Sequence, residues 1–208
     1  MNSVDIRPFP SSSKYSSPFV VSYFGGLHLN RWKMLVRIVR ILNDNILLRV
    51  YTSSELTEEI KKSFNNYHIE FCGCVVGDEL YNARLKSDIL LHVESDDEKN
   101  RAYTRLAIST KIPEYLISGR VVLGFGPEEV ASMRILSDNN IGLVISSDKS
   151  DDAIRDAFWA AFSNVDECEN MRKRAYEYAK TNFDKKLIAS RFKSLMQSVC
   201  SESVEASV

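Results

Sequence analysis

The sequence predicts an α/β domain of the Rossmann-like, three-layer type, built on a six-stranded, mostly parallel sheet with extra C-terminal helices. Three observations predict this fold class. Six short apolar runs alternate with amphipathic stretches between residues 19 and 147, as in strand–helix units around a parallel sheet. Hydrophobic residues make up 44% of the 208 residues, which is enough for one good-sized core. From Asp151 onward the pattern is entirely helical.

Each apolar run has the length of a buried strand and is bounded by glycine or polar residues. The predicted strands span 19–25, 46–52, 69–75, 88–94, 120–126 and 141–147. The predicted helices between them span 31–42, 54–64, 78–87, 109–118 and 128–138. In helix 31–42 the apolar residues recur at spacings of three and four, so one of its faces should pack on the sheet. Helix 54–64 should begin at Ser54, with Thr57 and Glu58 in its first turn.

The segments on either side of the alternating region differ from it in composition. Segment 1–18 is rich in serine and proline and has no hydrophobic period, so we expect a linker or a loose extended arm. The domain itself is expected over 19–199, followed by a frayed tail over 200–208. A linker implies a domain on its other side, so we expect a longer protein in which the helical region 151–199 partly joins a missing N-terminal half.

Charge and hydropathy argue against several classes of function. The 27 basic and 28 acidic residues nearly balance, which argues against a nucleic-acid partner. Apolar runs are shorter than the roughly 20 residues that a membrane helix needs, and the N-terminus lacks a signal pattern. We therefore expect no transmembrane segment and a cytoplasmic location, with any contact to the inner face of a membrane made through the missing half.

We also expect no metal site. Cys72 and Cys74 are separated by one residue within an apolar run and lack the spacing of zinc ligands, so they are expected to form a buried pair. Asp96 and Asp97 lie in a charged stretch and are expected to be solvated rather than metal-binding. His92 lies on a predicted strand and is expected in the core or at its lip.

A first candidate site lies where the first predicted strand turns into a helix. Gly25 and Gly26 allow backbone N–H groups to approach an anion, the helix start adds its positive dipole end, and Arg31 supplies a fork of donors. This combination suits a diphosphate. His28, in the same turn, is a further candidate contact to a phosphate or a sugar. The alternative is a plain tight turn with a solvated Arg31, since the dinucleotide fingerprint is absent.

A second candidate site lies at the start of the helix predicted over 109–118. Ser109 and Thr110 are expected to cap this helix, and Lys111 adds a positive charge. Ligands of open parallel sheets bind beyond the carboxyl ends of the strands where the strand order reverses, and predicted strands one and four flank that point. Both sites therefore converge on one crevice, where Glu114 is placed to accept hydrogen bonds from a ribose diol. In the alternative, Ser109 is only a cap, and Lys111 and Glu114 form a surface pair.

The order and spacing of these segments resemble the C-terminal, nucleotide-sugar donor-binding domain of GT-B glycosyltransferases. The similarity runs from about Phe19 to about Leu195. Its most specific part is "KIPEYLISGRVV", which is similar to the family's K-x-x-E-Y-x-x-x-G-K-P-V segment. The other matching segments are the Gly-Gly turn, "IEFCGCV", "ELYNARLKSDILLHV", "NNIGLVI" and "RAYEYAKTNFD".

The resemblance implies a role for each matching residue. Those implied to contact the donor diphosphate are Gly25, Gly26, Arg31, Ser109, Thr110 and Lys111. Glu114 matches the family acid that holds the ribose, and Gly73 and Cys74 match the turn that meets the nucleobase. The nucleotide sugar is a substrate, and no metal or other cofactor is implied. The sequence departs from the family at Leu106, eight positions before Glu114, where the common motif has a second glutamate.

We therefore expect the donor-binding half of a hexosyltransferase-like glycosyltransferase, which moves a sugar from a nucleotide diphosphate sugar to an acceptor such as a surface polysaccharide or glycolipid. The catalytic residues stay unassigned, because the acceptor domain and any general base belong to the missing half. This half alone is accordingly expected to be inactive. Leu106 leaves open a non-catalytic nucleotide or nucleotide-sugar binding module. A sugar-nucleotide epimerase is less favoured, since no adequate cluster of acids converges on the site.

Overall fold

A parallel sheet forms the centre of the chain, for which the computed structural model describes residues 2–11, 15 and 17–205. The strands within these residues are β1 Phe19–Phe24, β2 Ile46–Tyr51, β3 Ile69–Gly73, β4 Ile89–Val93, β5 Val121–Gly126 and β6 Leu143–Ser146. They lie in the order β3-β2-β1-β4-β5-β6, and every neighbouring pair is parallel. This confirms the predicted fold class and places the reversal of strand order between β1 and β4.

Helices cover both faces of the sheet. Those in the described residues are α1 Arg31–Leu42, α2 Glu58–Ser63, α3 Gly77–Leu85, α4 Glu98–Thr104, α5 Lys111–Ile117, α6 Ala131–Asp138, α7 Asp151–Phe162, α8 Val165–Asn182 and α9 Lys185–Glu205. The five helices predicted between strands correspond to α1, α2, α3, α5 and α6, and the C-terminal region is helical as predicted. The domain therefore has the expected three layers and the expected extra helices.

Successive side chains of each strand point to opposite faces, and both faces are buried along most of the central strands β1, β4 and β5. Val21 and Tyr23 of β1 pack in one core with residues of α1 and α7. Phe24 packs in the second core with residues of α5 and α8. Burial on both sides explains why the strands appear in the sequence as nearly continuous apolar runs.

Helices α2 and α4 differ most from the prediction. Helix α2 begins later than expected, because the Thr57 side chain accepts a hydrogen bond from the Ile60 N–H (3.3 Å) and is the cap. The Ser54 hydroxyl instead accepts from the Leu27 N–H (2.9 Å) and joins two loops at the carboxyl edge of the sheet. Helix α4 was not predicted, since its polar sequence has no apolar period. It forms from a local cap, in which the Asp97 carboxylate accepts from the Asn100 N–H (3.1 Å).

The C-terminal helix is longer than predicted. Residues 200–205, expected to be frayed, belong to α9, and 206–208 lie outside the described residues. Its first turns touch the domain through Ile188, whereas Phe192, Leu195 and Met196 are exposed. Among the helices in the described part of the chain, none is long and apolar enough to cross a membrane.

The N-terminal segment is extended but not loose over residues 2–11. Val4 is buried, its N–H donates to the Phe183 carbonyl (2.8 Å), and its carbonyl accepts from the Lys185 N–H (3.0 Å). The Phe9 ring meets the Tyr176 ring edge-on, with centroids 5.1 Å apart. Because Val4 is buried at the start of α9 and the partly buried Phe9 packs on α8, the predicted looseness is wrong for this part.

Candidate functional site

A cleft of about 230 Å³ opens at the carboxyl edge of the sheet, where the strand order reverses between β1 and β4. Its walls come from the ends of β1, β2 and β3 and from α3 and α5. The lining residues are Phe24, Gly25, Gly26, Tyr51, Thr52, Ser53, Cys74, Val75, Leu80, Arg84, Lys111 and Glu114. Residues separated by up to 90 positions in sequence thus meet at one edge, as the two candidate sites required.

The structure brings five of the predicted residues into the wall of this cleft, namely Gly25, Gly26, Cys74, Lys111 and Glu114. Four of the other five lie beside wall residues. Gly73 precedes Cys74, Ser109 and Thr110 precede Lys111, and His28 packs so closely under Gly26 that a Cβ there would lie 2.4 Å from the imidazole. Arg31 lies deeper and is held by a buried carboxylate.

Gly25 makes room for a lysine rather than offering a free N–H group. Its φ is +149°, and an added Cβ would lie 2.2 Å from Lys111 Cε and 2.5 Å from Nζ. Its N–H donates to the Tyr51 carbonyl (2.9 Å), so the backbone donor predicted at Gly25 is already used. The Tyr23 hydroxyl donates to the Gly26 carbonyl (2.6 Å) and fixes the same turn. The glycine turn therefore seats the Lys111 ammonium against the main chain.

Beneath this turn lies a buried charge cluster that includes a residue the sequence analysis did not identify. Glu94, just after β4, is 2% exposed, and its Oε2 accepts from Arg31 NH2 (3.0 Å). Its Oε1 lies 3.1 Å from His92 Nε2. His92 is buried, as predicted for a core residue. Glu94 could have been identified from the sequence, because it is an acidic residue at the carboxyl end of an otherwise apolar strand. Arg31 is paired and its side chain is only 12% exposed, so the alternative of a solvated arginine is wrong.

The pKa values in this cluster follow from burial and mutual charge. Burial lowers the pKa of His92. Burial raises the pKa of Glu94, but His92 and Arg31 outweigh it and bring that pKa below its ordinary value. Burial, followed by the charge of Arg31, lowers the pKa of Lys111, while Glu94 acts in the opposite sense. With His92 neutral, two cations face one carboxylate, which leaves an excess of positive charge at the cleft.

The start of α5 is capped only in part as predicted. Ser109 Oγ accepts from the Lys111 N–H (3.4 Å), whereas Thr110, at the cap position, makes no side-chain cap hydrogen bond. Glu114 forms an ion pair with Arg84 of α3 and not the surface pair with Lys111 that was considered as the alternative. The Glu114 side chain is 43% exposed and faces the cleft. A carboxylate and an ammonium are thus both available in the wall of the cleft, one helical turn apart on α5.

The remaining predicted polar residues have structural roles or lie at the surface. Asp97 caps α4, and Asp96 accepts from the Ser147 hydroxyl and lies 3.5 Å from Arg37 NH1. Asp96 is therefore anchored rather than simply solvated. The described residues contain no group of three or more His, Cys, Asp or Glu side chains that could hold a metal ion.

Cys72 and Cys74 do not form the predicted buried pair. Cys72 is half-buried and Cys74 is exposed at the cleft. The reason is that β3 ends at Gly73, whose φ of +70° breaks the alternation of side chains along the strand. Exposure at this edge makes Cys74 available as a reporter of the cleft.

Comparison with known proteins gives matches among solved structures. No protein-family model matches the chain, and no curated protein matches it. A TarM variant of S. aureus, solved with fondaparinux, alpha-GlcNAc-glycerol and UDP, matches with a TM-score of 0.70 and 14% identity, over 93% of this chain and 38% of TarM. HepE of Anabaena, solved with UDP and glucose, matches with a TM-score of 0.68 and 13% identity, over 86% of this chain and 48% of HepE.

Sucrose-phosphate synthase of Thermosynechococcus elongatus matches with a TM-score of 0.68 and 13% identity, over 88% of this chain and 46% of the synthase. These neighbours are GT-B glycosyltransferases, so the resemblance seen in the sequence is confirmed at the level of the fold. The chain spans less than half the length of each of them.

Proposed function

We propose that the chain is the donor-binding half of a glycosyltransferase that moves a sugar from a nucleotide diphosphate sugar to an acceptor such as a surface polysaccharide or glycolipid. The observation that carries this proposal is the cleft itself. It lies at the carboxyl edge of the sheet beside the reversal of strand order, and its wall holds the Lys111 ammonium, seated against a glycine turn, and the Glu114 carboxylate. An ammonium near a carboxylate can bind a ligand in which an anionic group lies next to a sugar diol.

The positive charges of Lys111 and Arg31 suit the leaving group of glycosyl transfer. When the bond between the sugar and the diphosphate breaks, negative charge develops on the diphosphate. Lys111 at the turn and Arg31 beneath it would stabilise that charge electrostatically, in surroundings that are partly shielded from water. In this proposal the two side chains supply the positive charge that a metal ion supplies in other sites, so transfer would need no metal.

The part of the cleft lined by Glu114, Cys74 and Tyr51 suits a nucleoside. Glu114 would accept hydrogen bonds from the ribose hydroxyls, and the main chain at Gly73 and Cys74 would meet the base. Tyr51 lines the same region and stacks on Phe24 with ring centroids 4.4 Å apart, which gives the cleft an aromatic wall. TarM and HepE were both solved with UDP, and this supports a nucleoside diphosphate as the ligand class.

The acceptor and any general base are assigned to a further half of the protein. The supporting observations are the span of less than half of each structural neighbour and the exposed apolar residues on α9, Phe192, Leu195 and Met196. The main chain of Val4 is hydrogen-bonded to Phe183 and Lys185 at the start of α9. A domain upstream of the arm would therefore lie near the start of this helix. The chain alone is expected to bind donor without transferring sugar, which an assay of nucleotide-sugar turnover checks.

A non-catalytic nucleotide or nucleotide-sugar binding module is the second candidate. It is favoured by Leu106, which is exposed beyond α4 at the position of the family's second glutamate and offers no hydrogen bond to a sugar hydroxyl. Appreciable transfer by the full-length protein would exclude this candidate.

A thermal-shift titration with UDP, GDP, ADP and CDP tests the proposed function. A ligand at about 100 times its Kd adds about 2.7 kcal/mol of stability, and a domain of this size gains about 2–4 °C per kcal/mol. We therefore expect at least one diphosphate to raise the Tm by several degrees. Glu114→Ala should abolish most of this rise, whereas Glu177→Ala, on the exposed face of α8, should keep it. Equal shifts in both variants would show that the nucleotide binds elsewhere.

A further inference from the structure

Arg84 is a buried guanidinium in the wall of the cleft. It lies on α3 and is 7% exposed. One of its terminal nitrogens donates to Glu114 Oε2. Its Nε is also buried and makes no hydrogen bond with any of the described residues. Burial of a charge costs several kcal/mol unless it is compensated, so the pair with the half-exposed Glu114 is a poor source of stability. Stability therefore does not account for a buried arginine at this position.

A rigid aromatic platform holds Arg84 in place. The guanidinium carbon lies 5.8 Å from the centroid of the Phe24 ring. Phe24 stacks on Tyr51 at an interplanar angle of 9°, and its N–H donates to the buried Tyr115 hydroxyl (3.1 Å). Arg84 can therefore move little. The hydrogen bond from Arg84 therefore holds the Glu114 carboxylate, which would otherwise sample several rotamers, in one orientation at the cleft.

The bond to Arg84 leaves Glu114 capacity for a ligand. A carboxylate has about four acceptor positions, of which Arg84 uses one. Two adjacent hydroxyl groups can occupy two of the others without breaking the ion pair. A fixed carboxylate loses less conformational entropy when it binds such a diol than a mobile one does.

From this geometry we infer that Arg84 is a positioning residue that orients Glu114 and makes the cleft selective for the 2′,3′-diol of a ribose over a 2′-deoxyribose. This inference rests on the proposed nucleoside diphosphate site and adds a determinant of specificity to it. Arg84 acts through Glu114 and need not touch the ligand.

Titration calorimetry with ribonucleoside and 2′-deoxyribonucleoside diphosphates tests the inference. The probes are UDP, GDP, ADP and CDP, each paired with its 2′-deoxy form, at fixed salt and pH. A hydrogen bond to a charged group contributes about 1.5–3 kcal/mol, so the wild-type chain should prefer the ribose form by about 10-fold or more. Arg84→Met should reduce this preference to about two- or three-fold, because it weakens binding of the ribose form more than binding of the deoxy form, which keeps only one hydroxyl on Glu114. A purely structural role would weaken both ligands equally, which would overturn the inference.

Three further variants test whether Arg84 acts through Glu114. Glu114→Gln should lose the preference by itself, and Arg84→Met added to Glu114→Gln should change it no further. Arg84→Lys keeps the charge without the planar fork and should restore only part of the preference, and it serves as the variant if Arg84→Met does not fold. Equal wild-type affinity for both sugars would overturn the inference and leave the proposed function standing. Failure of every ribonucleotide to bind would overturn both.

Discussion

Replacing Glu94 by alanine is expected to lower the free energy of unfolding by about 3–5 kcal/mol, because the substitution leaves a buried cation without its counter-charge. Glu94 is 2% exposed, and its partner Arg31 lies 3.0 Å away. Arg31 Nε is buried and makes no hydrogen bond within the described ranges, so the lost carboxylate would have no substitute. Urea denaturation measures the change, which corresponds to a Tm lower by roughly 6–20 °C for a domain of this size.

The matched control removes both charges. The double variant Arg31→Met with Glu94→Met should recover most of the lost stability, since a buried apolar pair needs no counter-charge. A loss below about 1 kcal/mol in Glu94→Ala is the value of a solvated surface pair and would contradict the assignment of a buried ion pair.

The same cluster makes the fold sensitive to acid. The pKa values of His92 and Glu94 are both lower in the folded chain than their ordinary values of 6.5 and 4.5. The unfolded chain therefore takes up protons first as the pH falls, so stability decreases on acidification. The His92 contribution is lost as the pH falls below about 6.5, and the Glu94 contribution as it falls below about 4.5. The double methionine variant should lack the Glu94 part of this dependence.

Lys111→Met is expected to weaken the binding of nucleoside diphosphates by about 10- to 100-fold, because one charge-assisted bond contributes about 1.5–3 kcal/mol. The same substitution should leave the Tm unchanged or raise it. Burial and the charge of Arg31 lower the pKa of Lys111, which means that holding this lysine in its protonated form costs the folded chain some stability. Binding and stability are thus predicted to change in opposite directions, as expected for a residue kept for function.

Lys61→Met is the control for this prediction. Lys61 lies on α2 and forms an exposed pair with Glu58 (2.8 Å), outside the wall of the cleft. Its substitution should change neither the affinity nor the Tm by a measurable amount. Calorimetric titration of both variants provides the comparison. Unchanged affinity in Lys111→Met would exclude this lysine from the anion site.

Much of the fold was predictable from local patterns. The six apolar runs became six strands, because a parallel sheet covered by helices buries both faces of its central strands and favours short apolar runs. The convergence of Gly25, Lys111 and Glu114 followed from one rule about the carboxyl ends of parallel strands. Helix α4 was missed, since its start depends on the Asp97 cap and not on an apolar period.

The partners of charged residues were not predictable. The bond between Arg84 and Glu114 joins positions 30 apart, and that between Arg31 and Glu94 joins positions 63 apart. No spacing rule connects such pairs, because the first bond depends on how α3 lies beside α5 and the second on how α1 packs beside β4. The sequence therefore located the cleft, and the structure added the buried network that supports it.

Protection of Cys74 from alkylation is the most direct test of whether the cleft is the nucleotide site. In a Cys72→Ser background, the rate of Cys74 modification by N-ethylmaleimide is followed by mass spectrometry, with and without the diphosphate that raises the Tm. The buried Cys168 reports any unfolding. We predict that saturating nucleotide slows modification of Cys74 several-fold and leaves Cys168 unchanged. A nucleotide that raises the Tm but leaves the Cys74 rate unchanged would place binding outside this cleft and contradict the proposed site.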